Sequence, residues 1–305
     1  MVRWMREQGE AQKAFVLFSQ TIPSGNLGFI DSKAAALELT INGQDLTITQ
    51  SPNVLSSNRA GGTTGAVLWK VSPPFASWLA SPDINIFFRT GVLSPSSTVL
   101  ELGCGVSALV GLAVAPLVSR YVLSDQPYVA RFVAQNLEQN RNRRPARTTT
   151  GKGRKGGGGG GGGRDNNSNN NNNKNSTPGA GGSNLLFSPL DWELDTPTAA
   201  LAGGDGVASF DFLVACDCIY NLALVPHFTQ TCADLCRLRS SDGRCEGRPC
   251  VCVVAQQLRD PEVFEAWLRE FLAKGFRVWR VPDRELPEAL RSSSGFVVHV
   301  CILRG

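Results

Sequence analysis

The chain of 305 residues has two histidines, two methionines and three tyrosines, and it lacks several patterns that would decide its chemistry early. Its longest apolar run, Val106 to Val118, contains Pro116 and is too short to cross a bilayer, so no membrane is expected as a partner. The opening MVRWMREQGEAQ carries charge where a signal peptide has its apolar stretch. Nine cysteines are present, but no C-x2-C knuckle occurs among them and no metal is expected. Four of them lie in the apolar contexts VACDC and PCVCVV, which suits reduced thiols in buried strands and points to the cytoplasm or nucleus. No lysine follows the glycines of ELGCGVSA (Glu101 to Ala108), which excludes a phosphate loop. Neither histidine is expected to act as a base. His227 follows Pro226 in the polar VPHFTQ, and His299 alternates with apolar residues near the carboxyl terminus.

The net charge of +4 is unevenly placed. Residues 141–184 hold nine Lys/Arg against Asp165 alone, and the remainder carries 21 basic and 25 acidic residues, or −4. A mildly acidic body suits a basic protein substrate better than a phosphate backbone, so nucleic acid is not expected to be obligatory. The basic stretch also contains Gly156 to Gly163 and an asparagine tract, which offer little to bury, so a disordered surface insertion is expected at about 141–184.

What is present reads as an α/β fold. AAALELTINGQDLTITQSP alternates apolar and polar residues about Asn42-Gly43, the signal of a type I′ hairpin, and marks an N-terminal β-extension over residues 1–60. A Gly/Thr-rich loop and a helix around Trp69, Phe75 and Trp78 follow, opening a domain over 61–305. Strands are expected at Thr98–Leu102, Arg120–Ser124, Leu185–Phe187, Phe210–Cys216, Cys250–Gln256, Arg277–Val281 and Phe296–Leu303. Helices are expected at Ser107–Leu117, Tyr128–Asn140, Leu224–Leu238 and Pro261–Lys274. This alternation predicts a largely parallel seven-stranded sheet with helices on both faces, closed by an antiparallel final pair.

In such a sheet ligands bind beyond the carboxyl ends of the strands, first at the turn after the first strand. Gly103, Gly105 and Ala108 satisfy a dinucleotide pattern. Glu101, two residues earlier, would repel a pyrophosphate and attract an ammonium. Asp125 ends the second strand, where a carboxylate accepts ribose hydroxyls or caps the next helix. Asp217 and Tyr220 follow the fourth strand on the same rim, where they can orient an amine, although Asp217 can also cap a helix near Leu222. Cys218 and Ile219 stand between them, where an enzyme methylating adenine or cytosine would carry Pro-Pro. Trp69 and Trp192 admit an ordinary core role.

WK at 69–70, VLELGCG, LSDQ, LDW and ACDCIYN, in that order, resemble the seven-stranded, class I protein-lysine methyltransferases. QSPNVLSSNRAGGTTGAVLWKVSPPFASWL and SDQPYVARFVAQNLEQN are similar to the fungal ribosomal lysine N-methyltransferase 5 family, over about Gly28 to Gly305 outside the insertion. The resemblance implies a Rossmann-like sheet and S-adenosylmethionine as cofactor. Trp69 would meet its methionine end, Gly103, Cys104 and Gly105 would form the backbone cradle, and Glu101 would face its amino group. Asp125 would hold the ribose, Trp192 would flank the adenine, and Ala215 would line the pocket. Asp217 and Tyr220 would match a D-x-x-Y motif beside the acceptor lysine, with Asp217 orienting the amine and water taking the proton. The implied partner is a large-subunit ribosomal protein of the L1 type, with another translation or chaperone protein, or a cofactor-binding scaffold on ribosomes, as alternatives. A monomer is expected. Ser107 stands where a third glycine is usual, so a slightly altered turn backbone is expected, with Cys104 packing only.

If the insertion is a tolerated surface loop, deleting residues 142–182 leaves the melting temperature and the catalytic rate near those of the full chain. Loss of cooperative unfolding in the deleted form, followed by circular dichroism, would show that the segment contributes to the fold.

Overall fold

The computed structural model describes residues 17–20, 22, 28–57, 62–141, 184–204, 206–243 and 247–304. The stretch expected to be a disordered insertion lies outside the described residues apart from its ends, Arg141 and Asn184.

The hairpin comes first. β1 (Ala36–Ile41) pairs antiparallel with β2 (Gln44–Thr49), and Ile41 faces Gln44 across a two-residue turn. Asn42 and Gly43 have φ of 50° and 79°, the double positive that a type I′ turn requires. The turn is also tied down, because the Asn42 amide donates to Ser77 O (2.9 Å) and Ala80 O (3.1 Å) at the end of α1 (Ser72–Leu79).

The strands of the main sheet are β3 (Thr98–Leu102), β4 (Arg120–Asp125), β5 (Leu185–Pro189), β6 (Phe212–Cys216), β7 (Val251–Gln257), β8 (Phe276–Arg280) and β9 (Phe296–Leu303). Their order is β5-β4-β3-β6-β7-β9-β8. The first five in that order run parallel, and β9 lies antiparallel between β7 and β8. This is the Rossmann-like, largely parallel seven-stranded sheet that the sequence predicts. The chain steps outward from β3 to β4 and β5 and then returns to β6 on the other side of β3. The carboxyl ends of β3 and β6 therefore flank a switch point, where crossover connections diverge and leave a crevice.

Both faces are covered. α1, α2 (Leu109–Val114) and α3 (Ala130–Asn140) pack on one face with Val99, Phe212, Val214 and Val253. α4 (Val225–Ser241) and α5 (Pro261–Ala273) pack on the other with Leu100, Leu213, Ala215 and Val254. α2 starts two residues later than expected because Ala108 is left-handed (φ 49°), and it gives way at Ala115 to a 3-10 turn containing Pro116. The eight cysteines among the described residues are buried free thiols, and His299 packs between Phe264 and Trp267.

The N-terminal hairpin is no loose appendage. Ile41, Leu46 and Ile48 join the core on the α1–α3 side of the sheet. The outer edge of β2 is closed by α3 rather than by another strand. Asn136 accepts from Thr49 N (2.8 Å) and donates to Thr49 O (2.8 Å), and Asn140 does the same at Thr47 (3.0 and 2.9 Å). Two amide side chains one helical turn apart thus complete the hydrogen bonding of an otherwise open strand edge. Asn136 also donates to Val106 O (2.6 Å), inside the glycine turn after β3.

Asn136→Ala strands several buried backbone groups at once. It is expected to cost at least about 1–3 kcal/mol, read as a lowered midpoint in urea with an unchanged slope. A cost below about 0.5 kcal/mol would mean that water replaces the amide and that the hairpin docks by its apolar residues alone.

Candidate functional site

The cavity lies where the topology predicts, beyond the carboxyl ends of β3, β4 and β6. It is lined by Gly103, Cys104, Gly105, Glu101, Asp125, Trp192, Asp217 and Tyr220, and is closed from above by Gly62 to Trp69 and Ser72. Nine of the ten residues that the sequence nominates, Trp69 among them, line the cavity from different segments. Ala215 does not. Strand residues alternate between faces, so Ala215 is packed against the α4–α5 side, and Cys216 takes the wall position expected of it.

The turn after β3 is held by its own backbone and by one carboxylate. Gly103 and Gly105 have φ of 67° and 59°, which a residue with a side chain rarely adopts. Space is short as well. A Cβ on Gly103 would stand 2.8 Å from Cys218 Sγ and 3.2 Å from Trp192, and one on Gly105 would stand 3.0 Å from Gly65 O. The Gly105 amide donates to Asp125 Oδ2 (2.8 Å), and Val106 N donates to Gly65 O (2.8 Å). Ala108 is also left-handed and directly precedes α2. Cys104 is buried beside this turn, and burial pushes its thiol well above the ordinary range, which suits packing and not attack.

Asp125 does not cap a helix. Its other oxygen accepts from Gln126 N (2.7 Å), so each carboxylate oxygen holds one backbone amide and keeps lone pairs for a ligand. Burial pushes the carboxyl up to about 6, against the lowering effect of those amides. Glu101 is more extreme. It is 2% exposed, on the inner strand β3, and accepts from the Tyr121 hydroxyl (2.9 Å). Burial pushes it up to about 7, and the hydrogen bonds that oppose this come from neutral groups, the Tyr121 hydroxyl and the Gly111 amide. A carboxylate so placed favours a cationic ligand, because the cation restores what desolvation removed.

The aromatic walls are fixed. Trp192 packs on Phe228 (centroids 5.1 Å), and its buried indole Nε1 has no hydrogen-bond partner, so it is left for a ligand acceptor. Trp69 packs on Phe29 (4.5 Å) and donates from Nε1 to Thr64 O (3.1 Å). The Tyr220 hydroxyl meets the Thr64 hydroxyl at 3.0 Å.

Asp217, expected to orient the acceptor amine, also has a partner within the chain. Its side chain is fully buried and already holds a cation, Arg259, which binds both carboxylate oxygens. It caps no helix either; that task falls to Asn221, which accepts from Ala223 N (3.0 Å). Arg259 and Gly65 are the participants that sequence reading missed. Arg259 sits in QLRDPE as one more polar residue before a helix, and the only signal for it is its position just past the end of β7, beside the rim.

The family model described as lysine methyltransferase matches residues 48–151, from β2 through the glycine turn and Asp125 to the end of α3 and beyond. Ribosomal lysine N-methyltransferase 5 of Zygosaccharomyces rouxii is 29% identical over 254 residues, covering 78% of this chain and 74% of its own. The chain is similar to lysine methyltransferases over these residues. The Candida glabrata protein of the same name is 25% identical, over 74% of this chain and 68% of its own. A Schizosaccharomyces pombe protein named diaminohydroxyphosphoribosylamino-pyrimidine deaminase is 29% identical over 85% of this chain, which spans about half of that relative (49%). Nucleobase deaminases that use zinc carry H-x-E with P-C-x-x-C. His227-Phe228-Thr229, His299-Val300-Cys301 and Pro249-Cys250-Val251-Cys252 depart from both patterns.

The burial of Glu101 has a measurable consequence. Below about pH 4.5 the folded and unfolded chains both hold its proton. As pH rises the unfolded chain loses the proton first, so native stability falls until the folded group ionises near 7. The difference between 4.5 and about 7 amounts to about 3 kcal/mol. Glu101→Gln is therefore expected to melt above the wild type at pH 8, with an advantage that shrinks as pH falls toward 4.5. An advantage equal at both ends would show that ionisation of Glu101 is not its source.

Proposed function

We propose that this chain is an S-adenosylmethionine-dependent protein-lysine N-methyltransferase whose acceptor is a lysine of a large-subunit ribosomal protein of the L1 type. The observation that carries the cofactor assignment is the buried Glu101 carboxylate in the cavity below Gly103 and Gly105, held near 7 and open to a cation. The donor set fits that cofactor. Glu101 suits the amino group of the methionine moiety, Asp125 the ribose hydroxyls, and the indole N–H of Trp192 an adenine nitrogen. The tight glycines leave room for a ligand against backbone.

When bound, S-adenosylmethionine supplies a methyl group on a sulfonium, an electrophile that needs a neutral amine. The chain's own part is positioning and proton control. Trp69, Asp217 and Tyr220 form the rim where an acceptor side chain would enter. An aliphatic stem would run past the two aromatic residues, and the amine would reach the cavity beside Asp217. A lysine in water holds its proton up to about 10.4, so the site has to favour the neutral form. Desolvation within the cavity does so, with water taking the proton.

The substrate assignment is supported by the ribosomal lysine methyltransferases among the relatives. It is also supported by the acidic body outside the basic insertion, which attracts a basic protein. Buried cysteine thiols fit a reducing compartment, the cytoplasm or the nucleus.

Tritiated S-adenosylmethionine with 60S ribosomal proteins is expected to label one basic protein on lysine. Gly103→Ala, which adds a Cβ to a filled position, is expected to weaken cofactor binding by at least about tenfold by calorimetry, because a misplaced turn loses about 1.4 kcal/mol or more of contact. Tight cofactor binding without label in any ribosomal protein would favour a non-catalytic scaffold and count against the proposal.

A further inference from the structure

Arg259 is held in one place by groups that share no other task. Its guanidinium binds both oxygens of Asp217, donates to Gln257 Oε1 (3.1 Å), and lies 4.8 Å from the centroid of the Trp69 ring. Gly28 closes the remaining side, since a Cβ there would collide with the guanidinium and with Gln257. Asp217 is held equally firmly. It is left-handed (φ 61°), its amide donates to Ala255 O (2.7 Å), and its Oδ1 also accepts from Gln257 N (3.2 Å). The pair sits between the main cavity, which Asp217 lines, and a smaller one that Arg259 lines, with Tyr220 lining both.

A conformation this constrained for a non-glycine residue at a rim usually serves the site and not the fold. The charges around it show what it serves. Glu101 from β3, Asp125 from β4, and Asp191 and Glu193 from the segment after β5 line the main cavity with Asp217; Asp260 lines the smaller one. Tyr220, Cys216, Cys218 and Cys104 also line the main cavity, and burial pushes all four up, so they stay neutral; the Tyr128 phenol lines it too. Among the described residues that line the two cavities, Arg259 is the cation. Without it, an incoming lysine would meet an unneutralised carboxylate and be held as an ammonium, which cannot accept a methyl group.

We propose that Arg259 is a positioning residue for lysine methylation: by neutralising Asp217 beside the acceptor channel, it lets the acceptor lysine lose its proton. The inference rests on the lysine-methyltransferase reading. Asp217 keeps its place as an oriented acceptor for hydrogen bonds, and the guanidinium cancels the field that would otherwise raise the lysine.

The test is the pH profile of kcat at saturating substrate, which reports ionisation within the enzyme–substrate complex, with tritiated S-adenosylmethionine and 60S ribosomal proteins. In Arg259→Gln the rising limb is expected to move to higher pH by about one unit, a loss of about tenfold at neutral pH that is largely recovered in alkaline buffer. In Asp217→Asn, where the cation remains without its carboxylate, the limb is expected to move the opposite way, whatever happens to the plateau. Arg259→Lys keeps the charge and is expected to keep the limb while lowering the plateau. Calorimetry with S-adenosylmethionine and a thermal melt accompany each variant. If R259Q does not fold, the opposite shift in D217N and the unmoved limb in R259K carry the test. Activity lost equally at every pH, with the limb unmoved in R259Q and D217N, overturns the inference and leaves the methyltransferase reading standing. A wild-type chain that labels no ribosomal protein overturns both.

Discussion

The hydrogen bond from the Gly105 amide to the Asp125 carboxylate joins the ends of the two strands around which the site is built. It keeps the chain from running straight off β3 and turns it through left-handed positions at 103, 105 and 108. Those positions are affordable only where other segments come close enough to hold them. The Gly65 carbonyl does so from above by accepting from Val106 N, and Asn136 does so from the side by donating to Val106 O. Asn136 belongs to α3 and also holds β2, so the hairpin, the loop at Gly65 and the glycine turn are mechanically one unit. The N-terminal segment is thus part of the site although it contributes one strand pair remote from the sheet.

Three carboxylates surround this turn, Glu101 and Asp217 buried and Asp125 half-buried, and the fold treats each differently. Asp125 is stabilised by two backbone amides, which cost nothing further because the turn has to place them somewhere. Glu101 has a phenol and an amide, both neutral, and so holds its proton near neutrality. Asp217 has a guanidinium. A buried ion pair gains little net stability over an apolar pair of the same shape, because desolvation consumes most of the attraction. Its presence at the rim is therefore better explained by what passes the rim than by stability.

The fold was legible because parallel strands buried on both faces read as short apolar runs, and the helices between them as amphipathic stretches. β3, β4, β6 and β7 fall within a residue or two of their expected bounds. α2 was misplaced because nothing in VSALVGL announces a left-handed Ala108; the constraint comes from Gly65 and Asn136, both distant in sequence. Carboxylates on the strand ends were legible for the same reason as the strands, since topology brings all such ends to one rim. Partners were not. Sequence spacing says that Asp217 and Tyr220 follow β6, but it does not say that the residue just past β7 reaches back to Asp217. Ala215 was misread because the side-chain alternation of a strand decides which face a residue joins, and the cavity continues past the strand along Cys216 and Asp217.

The two ends of the cavity face opposite electrostatic demands. A sulfonium cofactor with a free amino group is a cation and is favoured by unneutralised negative charge, whereas an acceptor lysine has to arrive without its proton and is hindered by the same charge. A single acidic pocket cannot satisfy both. In this chain the separation is made along the sheet. Among the described residues no cation is bonded to the carboxylates on β3 and β4, and the one on the far side of β3, after β6, is matched by Arg259, just past the next strand. Parallel neighbours make this division natural, because each strand end delivers one side chain to the rim at a spacing of about 5 Å from the next. That spacing is close enough for one guanidinium to reach the adjacent strand end, as Arg259 reaches Asp217.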